Sequence, residues 1–456
     1  MQKPSSCCLA CVNWRTRREL HGHVRAFATD RRVRIAALRI RRRARSHLRG
    51  AHQLKLLQGG VEYFAALIED IDRSLREVRM ETYIFAFDAS GTAVAEALER
   101  AALRGVRVYL TMDGFGTPSI PREWVERFAR SKVQWRIFLP LGRIGLLIPV
   151  RWRRLHRKLC AIDGAITYCG GINVVDDYFD PNYGPLKKPR LDFAVRVSGP
   201  LVQDAIEVMR RFWWGRTSAA ELRAHGLQAA RKSLGLSIRE AASDASVDKA
   251  GERDFSEFAN ATSAPGAYAD LVLRDNLRHR KAIERAYLKA IGSAREEVII
   301  ANAYFLPGAR LRRALQHASR RGVRVRLLLQ GRYEYFLQYH ATRPLYGQLL
   351  ESGVEIHEYF ASFMHAKVAV VDRHWATVGS SNLDPLSLLL AREANVVMDD
   401  ADFASDLHCR LETAMAQGAR TVSAAEFAKR PWQQRILGAL ASMALRAGIL
   451  VLGRRY

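Results

Sequence analysis

Two stretches of the chain carry the same chemically active residues at the same spacing. Each reads His-x-Lys followed by four residues and Asp. The residues are His156, Lys158 and Asp163 in the first copy and His365, Lys367 and Asp372 in the second. This set suits a phosphate ester, because ammonium groups bind the non-bridging oxygens and stabilise charge in the transition state. One imidazole can attack phosphorus while the other serves as acid and then base. The lysines already neutralise the phosphate, so we expect no metal and no cofactor.

A turn of small residues follows each motif and ends in Asn173 or Asn382. If the chain returns as a hairpin, this turn lies beside the histidine and lysine of its motif. We therefore predict that Asn173, Ser380 and Asn382 bind the phosphate. Gly171 stands where the second copy has Ser380, which indicates that the two half-sites are not equivalent.

The motif aspartates are expected to have a different role from the histidines and lysines. Residues i and i+2 share one face of a strand, so the His and Lys of each motif should point the same way. The aspartate stands at an odd offset from the histidine and should point to the opposite face. We therefore predict that Asp163 and Asp372, although part of the motif, support the fold.

A nucleophilic imidazole needs a carboxylate that fixes its tautomer. An apolar strand with one acidic residue follows each motif, with Asp192 in the first copy and Glu393 in the second. We predict that Asp192 supports His156 and that Glu393 supports His365, each within its own copy. The alternative is that these carboxylates form ordinary salt bridges.

The elements around each motif repeat along the chain, which indicates an internal duplication. Apolar runs alternate with amphipathic helical patterns, and the string Arg-Gly-Val-Arg-Val occurs at both 104–108 and 321–325. Strands that alternate with helices are typical of α/β folds. We therefore predict two tandem α/β/α domains, each a mixed sheet flanked by helices, that form one shared active site.

The predicted organisation has five segments. They are an Arg-rich N-terminal tail (1–51), a first domain (52–217), a linker (218–265), a second domain (266–415) and a C-terminal amphipathic segment (416–456). The last segment is apolar over 436–452 except for Arg446. Such a helix can lie in a membrane interface, with Trp432 and Tyr456 near the headgroups. Packing on the protein's own surface is the alternative.

The net charge is the main anomaly of composition. The chain has 72 Lys and Arg against 46 Asp and Glu, a formal charge of +26. This excess indicates a polyanionic partner, either an anionic membrane surface or nucleic acid. The apolar stretch 144–150, followed by basic residues, would place the first motif at a lipid surface. Six cysteines without a disulfide framework fit a compartment that faces the cytosol.

With these residues in view, the chain resembles the phospholipase D superfamily, whose signature is the duplicated His-x-Lys-x4-Asp motif. Within it, the chain is similar to bacterial cardiolipin synthases, in particular to the shorter B type. The segments that carry this resemblance are residues 81–85, 155–159, 170–173 and 377–387. The Arg-rich start of the chain is not part of the family pattern.

The resemblance implies two phospholipase D-like domains and transfer of a phosphatidyl group to phosphatidylglycerol through a phosphohistidine. The donor would be phosphatidylglycerol, with release of glycerol, or phosphatidylethanolamine, and His156 would be the nucleophile. The resemblance also implies peripheral attachment to the cytoplasmic face of the bacterial inner membrane. A phospholipase D-type phosphodiesterase or nuclease is the alternative, for which the positive charge would serve nucleic acid. The sequence favours no oligomeric state.

Overall fold

The computed structural model describes residues 48–140, 152–180, 183–214, 266–275, 279–333, 336–384 and 391–453. The predicted tail up to residue 47, the apolar stretch 144–150 and the linker 218–265 lie outside the described residues. No helix in the described ranges combines the length and the apolar character needed to cross a membrane.

The described residues form two halves with a similar order of strands and helices. The first half contains β1 (Arg49–Gln58), α1 (Gly59–Asp72), β2 (Glu77–Thr82), α2 (Ala89–Leu103), β3 (Arg107–Asp113), α3 (Arg122–Ser131), β4 (Gln134–Phe138), β5 (Arg154–Leu155), β6 (Lys158–Ile162), β7 (Ile166–Gly170), β8 (Phe179–Asp180), β9 (Gly184–Pro185), β10 (Phe193–Ser198) and the helical residues 201–214 (α4).

The second half repeats this order and then adds a C-terminal extension. It contains β11 (Ala267–Arg274), α5 (Ala282–Ser293), β12 (Glu297–Asn302), α6 (Ala309–Arg320), β13 (Arg324–Gln330), α7 (Phe336–Glu351), β14 (Glu355–Tyr359), β15 (Lys367–Val371), β16 (Trp375–Gly379), β17 (Ala391–Asp399), α8 (Ala401–Gly418), β18 (Ala419–Thr421), α9 (Ala424–Ala428) and α10 (Trp432–Gly453).

The two halves also share the conformation of individual turns. Both copies of the Arg-Gly-Val-Arg-Val string place their glycine between a helix and the next strand. Gly105 has a φ of +92° and Gly322 has a φ of +86°, a left-handed region that glycine adopts without steric cost. The repeated glycine is therefore explained by a backbone requirement of the turn.

One mixed sheet of sixteen strands runs through both halves. Its order is β18-β14-β13-β12-β15-β16-β17-β11-β1-β10-β7-β6-β2-β3-β4, with β5 attached to β17. The order reverses about the junction of β1 and β11, as a two-fold relation between the halves requires. β2, β3 and β4 are parallel to each other, as are β12, β13 and β14. The predicted fold class, duplicated mixed sheets flanked by helices, is confirmed.

The sheet extends slightly past the limits predicted for the two domains. β1 already begins at Arg49, and β18 joins the sheet by pairing with β14. The C-terminal segment predicted from residue 416 thus begins inside the sheet domain, and its long helix α10 comes later.

Three large apolar cores hold the described residues together, one in each half and one between them, and two small apolar clusters add to these. The central core packs β10 and β17 against α4 and α8. Leu201 and Val202 from α4 and Leu407 and Leu411 from α8 are fully buried there. Because both halves contribute to this core, separating them would expose it to water. The central core therefore fixes how the two motifs face each other.

Asp163 and Asp372 lie in turns beyond the ends of β6 and β15, with φ values of +54° and +50°. Aspartate tolerates this left-handed conformation better than most residues. Each carboxylate accepts three backbone N–H groups from the segment that leads into the next strand, residues 75–77 for Asp163 and 295–297 for Asp372. The structure therefore does not bring the aspartates to the histidines. We predicted that they would point to the opposite face of the strand, but they lie in the turn after the strand ends.

The substitution Asp372→Asn places an amide N–H₂ group against three backbone N–H donors. We expect it to lower the free energy of unfolding by about 2 kcal/mol, as for a lost hydrogen bond to a charged group. Thermal unfolding followed by circular dichroism measures this change. Asp406→Asn, which breaks an exposed pair with Arg410, is the matched control and should unfold like the parent. A stable Asp372→Asn protein without activity would instead assign the aspartate a chemical role.

Candidate active site

Each motif histidine is fixed through its backbone to the other half of the protein. β5, which directly precedes His156, runs parallel to the start of β17, and the His156 N–H donates to the Arg392 carbonyl at 3.1 Å. In the reciprocal contact, the His365 N–H donates to the Leu191 carbonyl at 2.8 Å. Arg392 and Leu191 directly precede the two predicted carboxylates. The backbone exchange therefore brings each histidine beside the carboxylate of the opposite half.

The side chains complete this exchange. His156 Nδ1 lies 3.1 Å from Glu393 Oε2, and His365 Nδ1 lies 2.7 Å from Asp192 Oδ2. The predicted pairing within each copy is therefore wrong, because each carboxylate supports the histidine of the other copy. Sequence order favoured the wrong pairing, since each carboxylate follows its own motif along the chain.

The two motif lysines are buried directly beside the histidines. Lys158 and Lys367 begin β6 and β15, and each ammonium donates to the backbone carbonyl of its own motif histidine, at 2.7 Å for Lys158. Burial lowers the pKa of Lys158 to about 7, opposed by the charge of Glu393 and reinforced by that of Lys367. A bound phosphate would favour the charged form of both lysines, because an anion stabilises nearby ammonium groups.

The two carboxylates differ in their ionisation. Burial raises the pKa of Asp192 to about 7, although nearby lysine charges oppose the shift. Burial acts on Glu393 in the same direction. It is outweighed by His156, through its charge when protonated and its hydrogen bond, and by the charges of Lys158 and Arg274, so the pKa of Glu393 lies below its usual value. At neutral pH, Glu393 is therefore ionised, whereas Asp192 holds a proton more strongly than an ordinary carboxyl group.

The histidines both favour the neutral form when the site is empty. Burial lowers the pKa of His156, against the opposing charge of Glu393. Burial and the charges of the two lysines lower the pKa of His365 well below its usual value. The His365–Asp192 pair thus holds part of its shared proton on the carboxylate, whereas Glu393 of the other pair is ionised.

Ser380 and Gly171 occupy equivalent positions in the two halves but contact the neighbouring carboxylates in different ways. The Ser380 side chain is fully buried, and its hydroxyl donates to Glu393 Oε2 at 2.5 Å. It therefore lies behind the carboxylate and not in the open phosphate-binding place that we predicted. In the first half, a Cβ atom at Gly171 would collide with the Asp192 carboxylate. The glutamate is thus paired with a serine that supports it, and the close approach of the aspartate requires a glycine.

The two predicted asparagines follow the strands that pair with the lysine strands. Asn173 Oδ1 accepts the backbone N–H of Ile84 at 3.2 Å, which leaves the amide nitrogen to donate. Asn382 is 3% exposed, and its Oδ1 has no hydrogen-bond partner among the residues that the structure describes. A side-chain amide can donate to a phosphate oxygen, so phosphate binding stays a prediction for both.

Two tyrosines lie beside the motif histidines and were not selected from the sequence. The ring of Tyr83 is 4.9 Å from that of His156, and the ring of Tyr304 is 6.5 Å from that of His365, measured between centroids. Both follow the end of a parallel strand, β2 or β12. An aromatic residue at such a position is also common in ordinary cores, so its type alone carried no functional signal.

Two buried polar residues also belong to the site. Asn302 lies directly across from Lys367 in the pairing of β12 with β15, and Arg274 lies directly across from Glu393 in the pairing of β11 with β17. Both side chains are almost fully buried. Strand register places them in the site, and register between distant strands is not visible in the sequence.

The geometry defines what this site can do chemically. Because each Nδ1 faces a carboxylate, Nε2 is the nitrogen of each ring that can react. The side chains of His156 and His365 keep 14% and 17% exposure, so both rings are reachable from solvent. One ring can attack phosphorus and the other can protonate the leaving oxygen, while lysines stabilise the charge. The arrangement therefore suits nucleophilic substitution at the phosphorus of a phosphodiester.

The fold and this two-histidine arrangement define a protein of the phospholipase D class. The crystal structure of phosphatidylserine synthase from Haemophilus influenzae Rd KW20 matches this chain with a TM-score of 0.60 at 11% sequence identity. The match covers 91% of this chain and 99% of that chain. At this identity the likeness establishes the shared fold.

Sequence comparison defines the family more closely. The family described as "Cardiolipin synthase, PLD-like domain" matches residues 67–186 and 287–415, and each range contains one motif. Cardiolipin synthase B of Escherichia coli (strain K12) is 36% identical over 394 residues, 84% of this chain and 85% of that protein. Cardiolipin synthase A of Klebsiella pneumoniae (strain 342) is 29% identical over 388 residues, 85% and 74% of the two chains. The chain belongs to the cardiolipin synthase family of phospholipase D-like proteins, as its resemblance implied.

The substitution Ser380→Ala removes the hydroxyl that donates to Glu393. We expect kcat/KM to fall by about 10- to 100-fold, the range for a buried hydrogen bond to a charged group. Loss of the donor also raises the pKa of Glu393, so the acidic limb of the pH–rate profile should move to higher pH.

Ser381→Ala is the matched control. This neighbouring serine is equally buried, but among the described residues its hydroxyl hydrogen-bonds only to the backbone carbonyl of Asn382, at 3.4 Å. It should keep the activity and pH profile of the parent. An unshifted acidic limb in Ser380→Ala would show that the serine does not control Glu393.

Proposed function

We propose that this protein is a cardiolipin synthase. It transfers a phosphatidyl group from a donor phospholipid to the glycerol hydroxyl of phosphatidylglycerol. Family membership supports this activity, and so does a site with two histidines, two lysines and two carboxylates. The observation that carries the proposal is the exchanged pairing of His156 with Glu393 and of His365 with Asp192, because it turns two half-motifs into one acid–base site.

The first step forms a covalent intermediate. His156 Nε2 attacks the phosphorus of the donor, and the bond from phosphorus to the headgroup oxygen breaks. The His365–Asp192 pair supplies the proton that this oxygen requires, so the headgroup leaves as an alcohol and not as an alkoxide. With phosphatidylglycerol as donor the alcohol is glycerol, and with phosphatidylethanolamine it is ethanolamine.

The second step transfers the phosphatidyl group to the acceptor lipid. A hydroxyl of phosphatidylglycerol gives its proton back to the His365–Asp192 pair and attacks phosphorus. The bond from phosphorus to His156 breaks, which yields cardiolipin and restores the free imidazole. Lys158 and Lys367 bind the non-bridging oxygens in both steps, and the amides of Asn173 and Asn382 assist them.

The difference between the two pairs supports these roles. Glu393 is ionised and is held by Ser380, so it can stabilise the positive charge that His156 acquires when it attacks phosphorus. The raised pKa of Asp192, about 7, keeps a proton available in the other pair at neutral pH. The His365–Asp192 pair can therefore protonate the leaving alcohol, and His156 can attack as an unprotonated ring.

The proposed substrates are membrane lipids, so the protein must work at a bilayer. We place it peripherally on the cytoplasmic face of the bacterial inner membrane, as its family membership favours. The formal charge of +26 fits attraction to a surface rich in anionic phospholipid.

We expect purified protein to convert phosphatidylglycerol vesicles into equal amounts of cardiolipin and glycerol. His156→Ala and His365→Ala should each lower the rate by at least about 1,000-fold, because the two rings act as a unit. Lipid extraction with mass spectrometry and a coupled glycerol assay measure the two products.

His374→Ala is the matched control for these variants. His374 forms a similar pair, with Nδ1 2.7 Å from Asp399 Oδ1, but it lies after the strand β15, at the end remote from the motif histidines. This variant should keep the parent rate. Release of phosphatidic acid without cardiolipin would identify a hydrolase instead, and activity in either active-site variant would rule out a shared site.

We expect His156, and not His365, to carry the phosphatidyl group. A phosphatidyl ester of p-nitrophenol labelled at phosphorus separates the roles, because p-nitrophenolate leaves without a proton. His365→Ala should release p-nitrophenol in a single burst and retain label that is stable to alkali and labile to acid. His156→Ala should give neither burst nor label, and label on His156→Ala would exchange the two roles.

A further inference from the structure

The C-terminal helix α10 carries an apolar stripe on its outer side. Trp432, Ile436, Leu440 and Met443 are spaced by four, four and three residues, which places them on one face of the helix. All four are at least half exposed, from 50% for Ile436 to 66% for Trp432. A stripe of this kind, open to water along three turns, indicates an apolar partner.

The opposite side of α10 is already used by the protein itself. Ser442 Oγ donates to the Ala341 carbonyl of α7 at 3.0 Å, and Gly438 packs closely on Pro344. Ala441 is buried against Ala341. These contacts fix α10 on α7, so the exposed stripe is held in one orientation. The helix therefore packs on the protein surface, the alternative from the sequence analysis, and still keeps an apolar face.

The helix that carries the stripe runs towards the start of α7, from which a series of contacts leads to the segment before His365. Gly438 contacts Pro344, and Ser442, further along α10, contacts Ala341, which comes earlier in α7. The two helices therefore run antiparallel. The later turns of α10 therefore approach the start of α7, where Phe336 is 52% exposed.

Exposed aromatic residues continue the surface from α7 to the site. Phe336 contacts Tyr333, whose carbonyl accepts the hydroxyl of Tyr183 at 2.7 Å. The ring of Tyr183 packs on Phe363 at 5.0 Å between centroids, two residues before His365. We call Tyr183, Tyr333 and Phe336 the mouth aromatics. Aromatic side chains with a polar group are favoured at the boundary between lipid and water.

Basic side chains flank this surface. Lys429 and Arg435 are exposed at the start of α10, and Lys187 and Lys188 are exposed just after β9. A second copy of the chain would bring like charges together here, which disfavours a dimer through this face. Anionic lipid headgroups would instead pair with these cations.

We propose that the α10 stripe and the mouth aromatics dock the protein on an anionic phospholipid bilayer, with the mouth of the active site facing the headgroups. This inference rests on the proposed function, because lipid substrates give the surface its occupant. The apolar stripe enters the boundary between headgroups and acyl chains, and the flanking lysines and arginines bind phosphate groups. A phospholipid could then reach His156 and His365 without leaving the membrane entirely.

The test uses the full chain and vesicles of phosphatidylcholine with and without phosphatidylglycerol. The double variant Ile436→Asp/Leu440→Asp places two charges on the stripe and should weaken co-sedimentation with anionic vesicles by at least about 100-fold. Phe336→Asp, at the mouth, should weaken it as well. Val61→Asp/Leu103→Asp is the matched control, because these residues are exposed apolar positions on α1 and α2, and it should bind like the parent.

Activity measurements separate this inference from the proposed function. The ratio of turnover on vesicles to turnover on monomeric short-chain phosphatidylglycerol should fall by at least about 10-fold in the stripe variant. His156→Ala should lose turnover and still bind vesicles. Vesicle binding by the stripe variant that equals the parent would overturn the docking surface. So would a parent dimer, seen by light scattering, that the stripe variant converts to a monomer.

Discussion

The exchange of backbone hydrogen bonds between the halves is the contact on which the rest of the site depends. The His156 N–H donates to the Arg392 carbonyl, and the His365 N–H donates to the Leu191 carbonyl. Because the next residue in each case is a carboxylate, one exchange sets the position of four reactive side chains. The central core beneath β10 and β17 keeps the exchange in register. A site built in this way cannot form in either half alone.

The two half-sites have diverged within this common frame. One half pairs its histidine with a glutamate that a serine supports, and the other uses an aspartate that packs against glycine. The first carboxylate has a lowered pKa and the second has a raised one. Histidines with identical carboxylate partners would be equally suited to both roles. Because the two carboxylates differ, one histidine is better suited to be the nucleophile and the other to be the acid. The asymmetry between Gly171 and Ser380 is thus a matter of carboxylate support and not of phosphate contact.

Much of the fold could be predicted from the sequence because its causes are local. Alternating strand and helix patterns, the glycine turns at 105 and 322, and the repeated motifs all reflect backbone requirements within a few residues. The positions of Tyr83, Asn302 and Arg274 could not be predicted in this way. Their place in the site follows from strand ends and strand register, and register is set by packing of distant segments.

The sequence by itself determined which chemistry is available: two histidines, two lysines and two carboxylates, at spacings that recur in both halves. Residue type and local spacing are enough for that conclusion. Only the tertiary structure decided which carboxylate serves which histidine, since the partners lie 237 and 173 residues apart. It also placed Ser380 behind Glu393 and fixed α10 with one apolar face on α7 and the other outward. Each of these depends on how complete halves pack together, and no local pattern records that.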